Sequence, residues 1–293
     1  MSDILPRLKP DPIPAINAPA EYLVKGNMKR DYEDTKNVLQ VPWMGVVAMA
    51  FAAYRNLYGV FWPAFRETFG GAALVKACAE LRSQAEDAVL ALNPPPIVTR
   101  LEALGYAPRE ISQIRDMIEV FSHGNCSYCF MATMNRLLLE GQEIENRAAP
   151  EPFPGRHAPQ ADVPFVLFEM HHADQPTRET YDDIKTLLGL PFVNTDYRAL
   201  SRWPSYFSLA WNDLRGHVQT YEYEAVVTGV HTAYVDASLL LPNPEHLTAA
   251  TLQAAAEKDG GLENALETVR LFQWLLPGLI INVAYLRAQF TVQ

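Results

Sequence analysis

The feature that most constrains this chain is that it matches itself. Displaced by 149 residues (181 − 32), YEDTKNVLQVPWMGVV from Tyr32 lies over YDDIKTLLGLPFVNTD from Tyr181, with no gap. Under that offset Tyr32 meets Tyr181, Asp34 meets Asp183, Lys36 meets Lys185, Leu39 meets Leu188 and Pro42 meets Pro191. Ala50 meets Ala199, Trp62 meets Trp211 and Arg66 meets Arg215. That is about eight identities in some 35 positions, where average usage predicts roughly two. A weaker echo sets IEVFSHGNCSYC over VRLFQWLLPGLI. At 293 residues the chain is about twice the usual domain size, so length and repeat agree on two diverged copies of one unit.

The copies are expected to be helical. Apolar residues recur at three- and four-residue spacing, as in Leu101, Leu104, Ile111, Ile114, Met117, Ile118 and Phe121, and the two-residue alternation of strands is scarce. Proline punctuates the rest. Pro6, Pro10, Pro12, Pro14 and Pro19 make residues 1–21 a poor helix former and an exposed arm, with regular structure expected from about Tyr22. AAPEPFPGRHAPQADVP divides the chain near its middle, so residues 22–147 and 165–293 read as the repeats and 148–164 as a linker. The expected fold is all-α, two diverged repeats forming a pseudo-symmetric pair with the active site between them.

Composition removes several classes of function. With 24 Lys+Arg against 34 Asp+Glu the net charge is −10, which repels nucleic acid. The three cysteines are too few for a disulfide scaffold and fit a reducing compartment. The apolar stretches Val41 to Tyr54 and Leu271 to Leu286 fall short of a bilayer span, and no apolar leader opens the chain. A cytoplasmic protein without membrane or nucleic-acid partners is expected. No GxSxG, HExxH or GxxxxGK[ST] occurs, so serine-hydrolase, zinc-protease and P-loop readings lack support.

The copies differ chemically at two places. After the matched proline the first copy has Trp43-Met44-Gly45-Val46-Val47 and the second Phe192-Val193-Asn194-Thr195-Asp196. His123-Gly124-Asn125 lies over the apolar Trp274-Leu275-Leu276. Each half thus carries one polar insertion in an apolar segment, and the two are candidates for one site. The alternative for Asn194-Thr195-Asp196 is a helix N-cap, since all three types cap well.

At these residues the chain resembles the group I 2-haloacid dehalogenases. YEDTKNVLQVPW, FSHGNCSY and VNTDYRALSRWP carry the resemblance, which extends from about Tyr32 to Gln289. It implies an all-α fold of two repeats, a 2-haloacid substrate, no cofactor or metal, and a homodimer. It also implies that Asp196 deprotonates a water that attacks C2 directly, with inversion, and that Asn125 holds that water. A carboxylate with a reference pKa of about 3.9 needs a partly desolvated setting to act as such a base. The family's pocket positions fall on Trp43, Val46, Tyr128 and Thr195, the aromatics offering an N–H or O–H edge to the leaving halide. Backbone N–H groups at a helix start, with Thr195, are expected to receive the substrate carboxylate. Asn194, where some relatives have a smaller residue, implies preference for the D enantiomer by blocking one approach of water.

Two other readings compete. Cys126-Ser127-Tyr128-Cys129 resembles the CxxC helix of all-α thiol hydroperoxidases of the AhpD type, although Thr133 stands where their relay histidine belongs. The plainer account is two small residues packing one turn apart. Zinc would need a second ligand pair, and His171-His172 reads as solvated. A non-catalytic helical interaction module is the other alternative.

Overall fold

The computed structural model describes residues 5–291, and among them helices are the only extended elements. In chain order they are α1 (Gly26–Leu39), α2 (Val46–Ala53), α3 (Arg55–Phe69), α4 (Ala72–Ala88), a 3-10 turn (Val89–Leu92), α5 (Val98–Ala103), α6 (Pro108–Leu139), α7 (Gln175–Leu188), α8 (Thr195–Leu200), α9 (Pro204–Arg215), α10 (Tyr221–Leu240), α11 (Ala249–Lys258) and α12 (Leu262–Ala288).

The repeat is visible element by element. Starts of α1, α2, α3 and α4 recur 149 residues later as those of α7, α8, α9 and α10 (175 − 26, 195 − 46, 204 − 55, 221 − 72). The identities between the copies are the residues that hold this frame. In the first copy Asp34 accepts from Trp62 Nε1 at 2.8 Å and from Arg66 Nε and Nη2 at 2.8 and 2.7 Å. In the second, Asp183 accepts from Trp211 Nε1 at 2.7 Å and from Arg215 at 2.9 and 2.7 Å. Tyr32 donates to Pro19 O at 2.9 Å and Tyr181 to Phe168 O at 2.8 Å, each pinning the segment before its helix. Both first helices end in a left-handed residue, Gly189 at φ 61° and Gln40 at φ 52°. Glycine takes this conformation freely. Gln40 does not, but its side chain accepts from His157 N at 2.9 Å and donates to Gly155 O at 3.0 Å.

The chain forms two compact units, each assembled from three segments. Among the described residues the first comprises 5–81, Gly124–Ala158 and Thr228–Gly278; the second comprises Arg82–His123, Pro159–Val227 and 279–291. The chain changes unit inside α4, α6, α10 and α12, and once in the proline-rich stretch between Ala158 and Pro159. In the first unit the core is aromatic, with Phe51 edge-on to Phe272 at 6.0 Å and Phe130 against Tyr234 at 4.7 Å. In the second, Tyr181 meets Phe207 at 6.0 Å, Tyr206 meets Phe290 at 6.0 Å, and Arg100 grips Asp213 through both its nitrogens.

The N-terminal arm is exposed at Pro6, Leu8 and Lys9, yet it is anchored. Leu5 is buried with Leu137 and Val235, and Leu5 O meets His231 Nε2 at 2.7 Å. Pro6 O accepts from Arg136, and Gln273 links Arg136 to the other nitrogen of His231. The helix α12 is long and apolar enough to cross a bilayer, but 89% of that window is buried in the protein, which is the burial of a core helix.

Candidate active site

Sequence reasoning singles out seven residues, and they fall in two groups, one in each unit. Trp43, Val46, Asn125 and Tyr128 belong to the first unit; Asn194, Thr195 and Asp196 belong to the second.

In the first unit α6 is buried continuously from Gly124 to Leu139, so its polar residues are committed to the interior. Asn125 is only 4% exposed. Tyr128 donates its hydroxyl proton to Trp43 O at 2.7 Å and accepts from Gly45 N at 2.8 Å. The Trp43 and Tyr128 rings meet edge to face, centroids 5.7 Å apart at 63°. Burial pushes the Tyr128 phenol far above its ordinary pKa, so it stays protonated. Its one proton goes to a backbone carbonyl, which makes it a fastener for the 43–45 turn; the O–H edge expected for a leaving halide is already engaged. On the turn's other side Met44 N donates to Glu21 Oε1 at 2.6 Å, and Lys36 pairs with that carboxylate.

Two glycines make this arrangement possible. A Cβ at Gly124 would stand 2.4 Å from Trp43 Cη2, and one at Gly45 would stand 2.7 Å from the Tyr128 ring. The Cη2 corner of the Trp43 ring thus sits against α6 at Gly124, next to Asn125 in sequence, and Tyr128 lies against the start of α2, where half-buried Val46 is the first helical residue. The contacts join Trp43 to Tyr128 directly, while Asn125 and Val46 are the sequence neighbours of the two glycines on which those rings rest. Sequence reasoning missed Glu21, Gly45 and Gly124, although a glycine inside a long helical pattern is a signal of close packing.

In the second unit Asn194, Thr195 and Asp196 sit at the start of α8, with Asn194 in the N-cap position. The capping explanation meets the position and fails the chemistry. Asn194 makes no side-chain cap bond, and its buried Oδ1 meets no donor among the described residues. Its burial without a partner is costly, about 1 to 3 kcal/mol, which points to retention for another reason. Asp196 is 3% exposed in the first helical turn. The arginines that follow Asp196 in sequence have partners of their own. Arg198 holds Glu169 at 2.8 and 3.0 Å and reaches Thr195 Oγ1 at 3.4 Å, while Arg202 donates to Pro164 O and stacks over Trp203.

The cysteine pair lies in a setting unlike that of a reactive thiol. Cys126 and Cys129 are buried thiols that form no disulfide, and burial, foremost, pushes the Cys129 thiol well above its ordinary value. A reactive cysteine needs the opposite shift. Thr133, at the place of a relay histidine, donates to Cys129 O within the helix at 2.8 Å. His171 and His172 are exposed with rings 3.9 Å apart. Among the described residues no group of three or more His, Cys, Asp or Glu side chains is arranged to hold a metal ion.

Comparison with known proteins fits this picture. No family model matches the chain. An (R)-2-haloacid dehalogenase from Rhizobium sp. (strain NHG3) is 42% identical over 247 residues, covering 83% of this chain and 95% of that enzyme. An (R)-2-haloacid dehalogenase from Pseudomonas putida is 30% identical over 273 residues, covering 92% of this chain and 91% of the other. A solved D-2-haloacid dehalogenase in complex with L-LA superposes with a TM-score of 0.88 at 28% identity, over 97% of this chain and 99% of that one. With kinship of this depth along nearly the whole length of its relatives, the chain belongs to the 2-haloacid dehalogenase family.

Proposed function

We infer that the protein is a hydrolase of carbon–halogen bonds that converts 2-haloalkanoic acids to 2-hydroxy acids and prefers the D, or (R), substrate. The observation that carries this reading is the 42% identity to an (R)-2-haloacid dehalogenase across 95% of its length. The buried Asn194 beside Asp196, whose side chain caps no helix, supports it, since a side chain confined next to the base obstructs one of two mirror-image approaches.

The proposed chemistry uses one carboxylate and one amide. Asp196 takes a proton from water as the water oxygen bonds to C2, and the carbon–halogen bond breaks on the opposite side. The halide leaves with the bonding pair, C2 inverts, and Asp196 returns its proton to solvent. Water and 2-haloacid become 2-hydroxy acid, halide and a proton. Asn125 orients the water, its amide oxygen accepting one hydrogen without adding charge. Trp43 and Val46 line the space for halogen and alkyl group. Thr195 and the N–H groups at the start of α8 receive the substrate carboxylate, a role that falls to local dipoles because the net charge is −10. The reading extends to a cytoplasmic enzyme that acts as a homodimer.

Halide release from (R)- and (S)-2-chloropropionate tests the function. The (R) acid should turn over at least tenfold faster, and Asp196→Asn should lose about 10³-fold or more in kcat. A single turnover in labelled water should place the label in the product; label transferred first to Asp196 would refute direct attack. Full dehalogenation by Cys129→Ser separates this activity from thiol chemistry.

A further inference from the structure

The helix that carries Asp196 does not hold its own direction. At six residues α8 is far below the ~12 to 15 needed for a helix to persist alone, and its N-cap side chain makes no bond to it. The aim of Asp196 therefore depends on what grips the other side chains of α8. Buried Tyr197 reaches furthest: its ring is edge-on to Trp211 at 5.8 Å and tilted against Phe207 at 6.3 Å. The Tyr197 hydroxyl accepts from Asn282 Nδ2 at 2.8 Å, and Asn282 Oδ1 accepts from the Tyr223 hydroxyl at 2.8 Å. An amide has one accepting end and one donating end, so the link runs in one sense, from Tyr223 on α10 through Asn282 on α12 to Tyr197 on α8.

The copy without the carboxylate also lacks the link. Under the 149-residue offset Asp196 lies over Val47, Tyr197 over Ala48 and Tyr223 over Leu74; Asn282, in the register of the long-helix echo, lies over Met131. Three polar groups, each at most 3% exposed, stand in the second unit where the first has apolar side chains. Bonds between such groups hold firmly in the interior, because an unmade one leaves a buried polar group unsatisfied.

We propose that Asn282, held by Tyr223 and holding Tyr197, is a positioning residue that sets the aim of Asp196. The proposal rests on the reading of Asp196 as the base. Tyr197 acts as a lever: its hydroxyl is about 9 Å from the axis of α8 and the Asp196 carboxylate about 5 Å, given the ~2.3 Å backbone radius. A slip of about 1 Å at the hydroxyl then turns α8 by roughly 6° and moves the carboxylate about 0.6 Å, which corresponds to about a tenfold loss of rate.

The test measures kcat and KM for (R)-2-chloropropionate in the full-length protein. Tyr223→Phe keeps shape and removes one bond; it should lower kcat about tenfold with KM changed less than about twofold. Asn282→Leu keeps volume and removes both bonds, and should lose more. Asn282→Asp keeps an acceptor for Tyr223 and for the rotated Tyr197 hydroxyl, and should recover kcat about tenfold over the leucine variant. A packing role predicts the reverse, with leucine equal to or better than aspartate. Wild-type kcat in Tyr223→Phe, a loss confined to KM or to melting temperature, or equal kcat for leucine and aspartate at 282 would overturn the proposal. If Asn282→Asp does not fold, Tyr223→Phe decides alone. Asp196→Asn separates the two levels: full activity there removes the base reading itself, whereas an inactive Asp196→Asn beside an unimpaired Tyr223→Phe removes only the role of Asn282.

Discussion

Gly124→Ala tests whether the fit between Trp43 and α6 serves activity or only packing. Two opposite contributions to stability are expected. Within a 32-residue helix, alanine in place of glycine favours the helix by about 0.8 to 1.0 kcal/mol. Against this, the new Cβ would stand 2.4 Å from Trp43 Cη2 and 3.1 Å from two further ring atoms. Restoring a contact of about 3.5 Å requires the indole to retreat by roughly 1 Å. Trp43 has little room, with its ring against Tyr128 and its carbonyl bound to the Tyr128 hydroxyl, so an overpacking penalty of about 1 to 3 kcal/mol applies. The net effect on stability is small, a change in melting temperature of a few degrees for a chain this long. Activity has no compensating contribution: with Trp43 in its proposed role as a pocket wall, a 1 Å displacement is expected to lower kcat/KM by about 10²-fold. The assay pairs thermal melting with halide release from (R)-2-chloropropionate, for Gly124→Ala alone and combined with Trp43→Phe, which removes the colliding ring. The combination should recover stability relative to Gly124→Ala. A Gly124→Ala protein that melts higher and keeps its full kcat/KM would show that Trp43 accommodates the methyl group at no cost to packing or catalysis.

Three further outcomes are expected. Asn194→Ala should admit the (S) acid, lowering the ratio of (R) to (S) turnover tenfold or more; an unchanged ratio removes Asn194 from enantiomer choice. Asp34→Ala and Asp183→Ala should lower the urea midpoint by similar amounts, because each carboxylate holds a matching Trp and Arg. The arginine pairing, foremost, depresses both carboxyls, so their contribution is full above about pH 4 and fades as pH falls through the folded values; a midpoint that rises in acid contradicts this. His231 at the anchor of the N-terminal arm is held below its ordinary pKa, chiefly by burial. The unfolded chain then binds the proton more readily, so this stability is present above about pH 6.5 and is lost as pH falls through the lowered folded value. Protection against amide exchange at residues 5–9, taken relative to the intrinsic rate at each pH, should fall in that window in wild type and be low at all pH values in His231→Ala.

Much of this protein is legible along the chain because its determinants are local. The helical period of Leu101 to Phe121, the recurrence of α1 to α4 at 149 residues, and the Asp-Trp-Arg clamp shared by both copies depend on residues near one another in sequence. Resemblance in YEDTKNVLQVPW, FSHGNCSY and VNTDYRALSRWP pointed to the family that the relatives share. Only the tertiary structure decided how the long helices are apportioned between units, that Tyr128 gives its proton to Trp43 O, that Gly124 exists for an indole, and that Asn282 reaches Tyr197. Those contacts join residues about 80 or more positions apart. No periodicity encodes them: hydrophobic pattern states which face turns inward, and close packing alone selects the side chains that meet there.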